Sequence, residues 1–241
     1  ISVVRLLQVV MNHLDCMQCQ RVSIIAVQGG YICLVTSMAQ PLGTHIGNAL
    51  EVKDAIDVLA GRTQGDLLEI SLLLGSHMLV LAEKAKTLPE ARTMLENALS
   101  SGAGLRKLAE MIAAQGGDSR VVEDLSLLPQ AAVKRVMRAE TAGYLSAMDT
   151  TALGMAAQRM GAGRAKKSDM LDYSVGYVLH VRLGDEVTED TPLATLYARN
   201  EAEAEEAEKA IRKALTIAKE KPSVPPLWDA VVTAEEITYN R

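Results

Sequence analysis

Residues whose types and spacing could do chemistry are few. His13, Cys16 and Cys19 have a spacing that could bring three soft ligands to one metal, and the CxxC pair could also be redox-active. No second Cys/His pair follows, and Cys33 sits in an apolar run where it reads as a small buried side chain. Two glycine-rich segments invite a phosphate-binding reading: Gln115-Gly116-Gly117-Asp118, and Gly161-Ala162-Gly163-Arg164 with Lys166-Lys167 behind it. The first lacks a preceding strand and a Lys or Ser at P-loop spacing. The second follows a helix instead of opening one, so the helix dipole points the wrong way. Both read as structural turns. His77, within a long apolar helical pattern, reads as a hydrogen-bonded core residue before it reads as a catalyst.

Composition narrows the classes. The chain has 241 residues, 49% hydrophobic and 23% charged, a balance that supports one or two globular domains and excludes a disordered or fibrous chain. Its formal net charge of -5 and the shortness of clusters such as Lys134-Arg135 give no basic stripe, so no nucleic-acid partner is expected. Aromatics are scarce and Phe is absent, which leaves no stacking platform for bases and a core of Leu, Val, Ile, Met and Ala. The apolar stretch Leu72–Leu81 is interrupted by Gly75, Ser76 and His77, so no membrane span is expected, and the N-terminal ISVVRLLQVVM lacks a convincing cleavage site. These features imply a cytoplasmic protein. A start at Ile1 rather than Met raises the possibility of a piece of something larger.

The positioning elements follow from local pattern. Val22–Val27 and Tyr31–Thr36 are β-branched runs around Gln28-Gly29-Gly30 and read as paired strands. Pro41 and Gly43 break the extended run, and Leu50, Val52, Ile56 and Leu59 then recur at helical spacing until Gly61. Asp66-x-x-Glu69 and Thr87-x-x-Glu90 are capping-box patterns, placing helices from about Asp66 to Ala85 and onward from Ala91. Leu105–Ala114 continues the helical run, and Leu127-Leu128-Pro129-Gln130 closes the first half. Short strands then begin at Val133 and pass through Gly143–Ser146, with a helix from about Thr150 to Met160 capped by Asp149. Tyr173–Leu179, Val181–Val187 and Pro192–Tyr197 read as further strands, Glu201–Ala218 as an Ala-rich helix, and the tail from Pro222 as a loop.

The wording of several segments says more than their periodicity. QPLG followed by IGNALEVKDAI, then AAQGGD, VVED, LLPQA, MGAGR and LDYSVGYVLHVRLGD closely resembles the pyrimidine-nucleoside and thymidine phosphorylase family, in its order, from about Met38 to about Ala218. GDEVTEDTPLATLYA also resembles the hammerhead modules of biotinyl and lipoyl carriers, but Lys166 and Lys167 lie outside any hairpin tip that a carrier would modify. The family resemblance implies an α/β (α+β) fold: a partial phosphorylase domain over 1–130, mostly helical after residue 47, and a C-terminal hammerhead-like domain over 131–241.

The same resemblance implies reversible phosphorolysis of a pyrimidine nucleoside, with phosphate as co-substrate attacking the anomeric carbon and the base leaving. The family's Lys/Ser/Thr phosphate loop and its base-binding Arg, Ser and Lys precede the QPLG turn, and nothing before Gln40 resembles either, so no catalytic or substrate-binding residue is assigned and little activity is expected of this chain by itself. A structural potassium ion is implied between that loop and the turn. It would be held by the carbonyls of Leu42 and His45 and the carboxylate of Asp54, where the family has the longer Glu. A homodimer or a complementary chain is the implied partner. The alternative is a non-catalytic, degenerate homologue that binds a partner or acts as a scaffold.

Overall fold

The structure, a computed structural model, describes residues 20–27, 30–233 and 236–240. His13, Cys16, Cys19 and the Gln28-Gly29 corner lie outside these residues. The chain divides into two compact units that do not follow chain order: Ile1–Ala39 with Gln64–Ser101 and Pro225–Arg241, and Gln40–Thr63 with Gly102–Val224.

In the first unit, β1 (Gln20–Val27) and β2 (Gly30–Ser37) form an antiparallel pair with Val27 opposite Gly30, as the β-branched runs imply. The tail expected to be a loop instead supplies β10 (Trp228–Val232), paired to the other side of β2, and β11 (Ile237–Tyr239) beyond it. Ile32, Leu34 and Val231 of this sheet pack with Ile70 of helix α2 (Asp66–Leu81). The cap of α2 is Gly65, one residue before Asp66; the short carboxylate therefore sits in the first turn, where it complements the dipole rather than capping. Helix α3 (Leu88–Ser100) starts as the sequence pattern implies: Thr87 Oγ1 accepts from the Glu90 N–H, and Glu90 reaches back to the Lys86 N–H. An ion pair from Arg92 to Glu69 at 2.9 Å ties α3 to α2.

The second unit is built on two antiparallel sheets, in the strand orders β3-β6-β8-β4 and β7-β5-β9. The first contains β3 (His45–Ile46), β4 (Val133–Arg138), β6 (Gly176–Leu179) and β8 (Pro192–Ala198). The second contains β5 (Gly143–Met148), β7 (Glu186–Val187) and β9 (Leu215–Ala218). Helices α1 (Asn48–Leu59), α4 (Ala103–Ala114), α5 (Thr150–Ala157) and α6 (Glu201–Ala214) complete the unit. With no Phe available, its core is filled by Met137, Leu145, Leu153, Leu196 and Ile211 around one large ring, Tyr177, whose hydroxyl donates to the Leu153 carbonyl at 2.8 Å. Helix α6 stops at Ala214, four residues short of the expected end. Leu215–Ala218 extends instead and pairs with β5, because a sheet edge satisfies those backbone groups along with their apolar side chains.

The fold is therefore mixed α/β with antiparallel sheets, the expected class. Among the described residues no helix is long and apolar enough to cross a membrane.

Candidate functional site

The segment from Gln40 to Gly47 brings the distant motifs of the second unit together. Pro41 supplies no N–H, and the chain turns through Leu42-Gly43-Thr44. Arg182 meets the carbonyls of this turn: its Nη1 donates to the Pro41 carbonyl at 2.7 Å and lies 3.4 Å from that of Gly43, and its Nη2 lies 3.5 Å from that of Leu42. The next residue's N–H, that of Leu183, donates to Gln40 Oε1 at 2.9 Å. A turn and a loop about 140 residues apart in sequence are thus clamped at both ends.

Beyond the turn, Leu179 N–H donates to the Thr44 carbonyl at 2.8 Å, which fixes β3 against β6. The two strands approach so closely that side chains are excluded. A Cβ on Gly176 would lie 2.1 Å from the Ile46 carbonyl oxygen, and one on Gly47 would lie 2.4 Å from that of Val175. Helix α1 then leaves Gly47 with its first donors already used: Gly47 N–H reaches Glu51 Oε1 at 3.3 Å and Ala49 N–H the Tyr173 carbonyl at 3.0 Å. Asn48 Nδ2 donates to the Ala162 carbonyl at 2.8 Å, docking the helix start on the glycine-rich segment. QPLG, IGNALEV, MGAGR and LDYSVGYVLHVRLGD are therefore one contiguous structural site.

The glycine-rich segment is a connector. Gln158–Ala162 form a π-helical turn after α5, with Gly161 at φ 107°. Its neighbouring amides do not face outward for an anion: Ala165 and Lys166 both donate to Asp169 Oδ2, at 3.0 and 2.8 Å, and Gln158 Nε2 donates to the Arg164 carbonyl. Likewise Gly116 and Gly117 end α4 by donating to the Ala113 and Ile112 carbonyls, and Asp118 is taken by the Arg120 guanidinium. At the turn joining β7 to β8 the tip residues are Glu189 and Asp190, with no lysine for a carrier to modify.

The three residues implied for potassium are close together but differently engaged. Thr44 and Ile46 take the hydrogen-bonded positions of the ladder, so His45 stands in a non-bonded position on the edge strand and its carbonyl turns to the open edge. The Leu42 carbonyl, by contrast, faces Arg182. Asp54 is buried in α1 and its Oδ1 lies 3.4 Å from His45 Nδ1. A hard cation needs several oxygens at once and is repelled by a guanidinium sharing its carbonyl. The residues present do not fit a potassium ion. Burial holds the His45 imidazole below its ordinary pKa, outweighing the attraction of Asp54. Among the described residues no group of three His, Cys, Asp or Glu side chains could hold a metal.

Sequence reasoning placed His77 on α2 correctly but expected a hydrogen bond; instead it is buried with Nε2 unpartnered, and burial lowers its pKa. Cys33 is fully buried and its thiol pKa is raised, which makes it inert. Arg182, Gln40, Asn48 and Asp169 were not singled out, because nothing local in the sequence marks the carbonyls and amides they serve.

Comparison with known proteins agrees with this architecture. Residues 144–218 match the pyrimidine nucleoside phosphorylase C-terminal domain. Over 170 residues, 70% of this chain, it is 48% identical to the pyrimidine-nucleoside phosphorylases of Bacillus subtilis and Geobacillus stearothermophilus, covering 39% of each. It is 41% identical over 202 residues to that of Staphylococcus aureus, 84% of this chain and 46% of the relative. The chain thus spans less than half the length of the curated relatives it matches. The mixed α/β fold, with its antiparallel sheets, is consistent with a phosphorylase C-terminal domain. The chain belongs to the pyrimidine-nucleoside phosphorylase family and carries its C-terminal portion.

Proposed function

We propose that this chain is the C-terminal portion of a pyrimidine-nucleoside phosphorylase, which transfers a pentosyl group reversibly between a pyrimidine base and phosphate. The observation that carries this reading is the convergence of the family's motifs on the Gln40–Gly47 turn, in a chain 41–48% identical to enzymes of that name. In the reaction, phosphate attacks the anomeric carbon, the base leaves, and (deoxy)ribose 1-phosphate forms. Such a step needs fixed donors for a phosphate dianion and for the negative charge growing on the base. In the described glycine-rich loops the amides of Ala165, Lys166, Gly116 and Gly117 are already taken by internal acceptors, which argues against those loops as the phosphate site. The role of this chain is the framework: a rigid domain on which the turn and α1 are held.

The active assembly we propose is a homodimer or a pairing with a complementary chain, supported by α4, an amphipathic helix with no fully buried residue and with Met111 exposed. The cytoplasm is the proposed compartment, in keeping with Cys33 as a free thiol. The test is ultraviolet detection of free uracil or thymine after mixing uridine or thymidine with phosphate. The protein would be this chain joined to the remaining N-terminal portion of the Bacillus subtilis relative. Phosphate-dependent release is expected; a folded, completed protein that releases no base would overturn the proposal.

A further inference from the structure

Arg182 does more than close a loop. Three successive carbonyls, those of Pro41, Leu42 and Gly43, lie within 2.7 to 3.5 Å of one guanidinium. Convergent backbone carbonyls are the donor type that a hard cation uses. Here they meet a planar, permanently charged fork of N–H donors instead. The loop that carries the fork is held by backbone amides: the Arg182 main-chain N–H donates to Asp185 Oδ2 at 2.7 Å, and the Leu183 N–H donates to Gln40 Oε1. The carboxylate implied for the ion, Asp54, has the His45 imidazole nitrogen Nδ1 3.4 Å from its Oδ1. A guanidinium nitrogen and an imidazole nitrogen therefore stand at two of the three oxygens through which a potassium ion would be held.

We propose that Arg182 is the resident cation of the Gln40–Thr44 turn, a tethered substitute for a diffusible potassium ion, so that the order of this turn does not depend on potassium. The inference stands on the geometry of the turn and not on the phosphorolysis reading. It concerns two reporters, the Leu179 N–H bonded to Thr44 and the Leu183 N–H bonded to Gln40.

Native-state hydrogen exchange of these two amides tests it. In the unmodified chain their exchange rates are expected to be equal in KCl and in choline chloride at the same ionic strength. In choline chloride, Arg182→Met is expected to accelerate exchange at Leu183 by at least about tenfold, the scale of losing charge-assisted hydrogen bonds. Arg182→Lys keeps the charge without the fork and is expected to accelerate it less; it serves in place of the methionine variant if that one does not fold. Slower exchange in KCl than in choline chloride in the unmodified chain, or unchanged exchange in the folded variants, would overturn the proposal.

Discussion

Replacing Gly176 by alanine tests the close approach on which the site rests. The new Cβ would lie 2.1 Å from the Ile46 carbonyl oxygen and 2.9 Å from Gly47 Cα, both backbone atoms that cannot swing aside as a side chain would. Gly176 also has φ 147°, a conformation that L residues adopt only under strain. Strain of this kind costs on the order of 1–3 kcal/mol. Moving β3 away from β6 adds the loss of a ladder hydrogen bond and core packing, about 2 kcal/mol more. The sum of about 3–5 kcal/mol is a large share of the roughly 5–15 kcal/mol that stabilises a domain. Gly154 provides the control: it lies in helix α5 with nothing within 4 Å of an added Cβ. Gly154→Ala should therefore stabilise by about 0.5–1 kcal/mol, through helix propensity. Urea denaturation of the two variants beside the unmodified chain measures both. A Gly176→Ala variant within about 0.5 kcal/mol of the unmodified chain would refute the reasoning from that contact.

Other expectations follow from single groups. His77 is buried with Nε2 unpartnered, so His77→Leu should raise stability by about 1–2 kcal/mol at pH 7, as measured by urea midpoint. Because burial lowers its folded-state pKa, the unfolded chain takes up the proton first as pH falls through about 6.5; stability is therefore full above that pH and declines below it, and the His77 variant should flatten part of the decline. His180, also lowered by burial and by Lys134, keeps its share of the slope in that variant. Asp149→Ala removes the carboxylate that accepts from the Ala152 N–H at 2.9 Å and should cost about 1 kcal/mol by thermal unfolding, while Asp149→Asn should cost less.

What the sequence disclosed was what local chemistry decides. Asp149 and Thr87 each cap the helix expected of them, because cap and amide are three residues apart. Gly102, at φ 69°, separates α3 from α4 where Ser101-Gly102 marked a break. Misreadings fell where a distant partner overrode a local preference. Leu215–Ala218 continues a helical pattern but is claimed by β5, nearly seventy residues earlier. Trp228–Val232 follows a proline-rich loop and becomes a strand only because β2 offers an edge. Val52 fits a helical count yet is 40% exposed, whereas the polar Asp54 and Asp57 are buried. Lys53 and Arg62 both bond to Asp57, a compensation that no periodicity reveals. The same holds at the site: the resemblance brought Leu42, His45 and Asp54 into one neighbourhood, but the guanidinium that faces the Leu42 carbonyl comes from a loop with no local signal.

The most direct test of the central claim is the identity of the product. Phosphorus NMR of uridine or thymidine with inorganic phosphate, in the presence of this chain completed by the N-terminal portion of the Bacillus subtilis relative, distinguishes phosphorolysis from hydrolysis. A new sugar 1-phosphate resonance that grows in step with free base is expected. Base appearing without that resonance, or neither appearing with a folded protein, would contradict the claim.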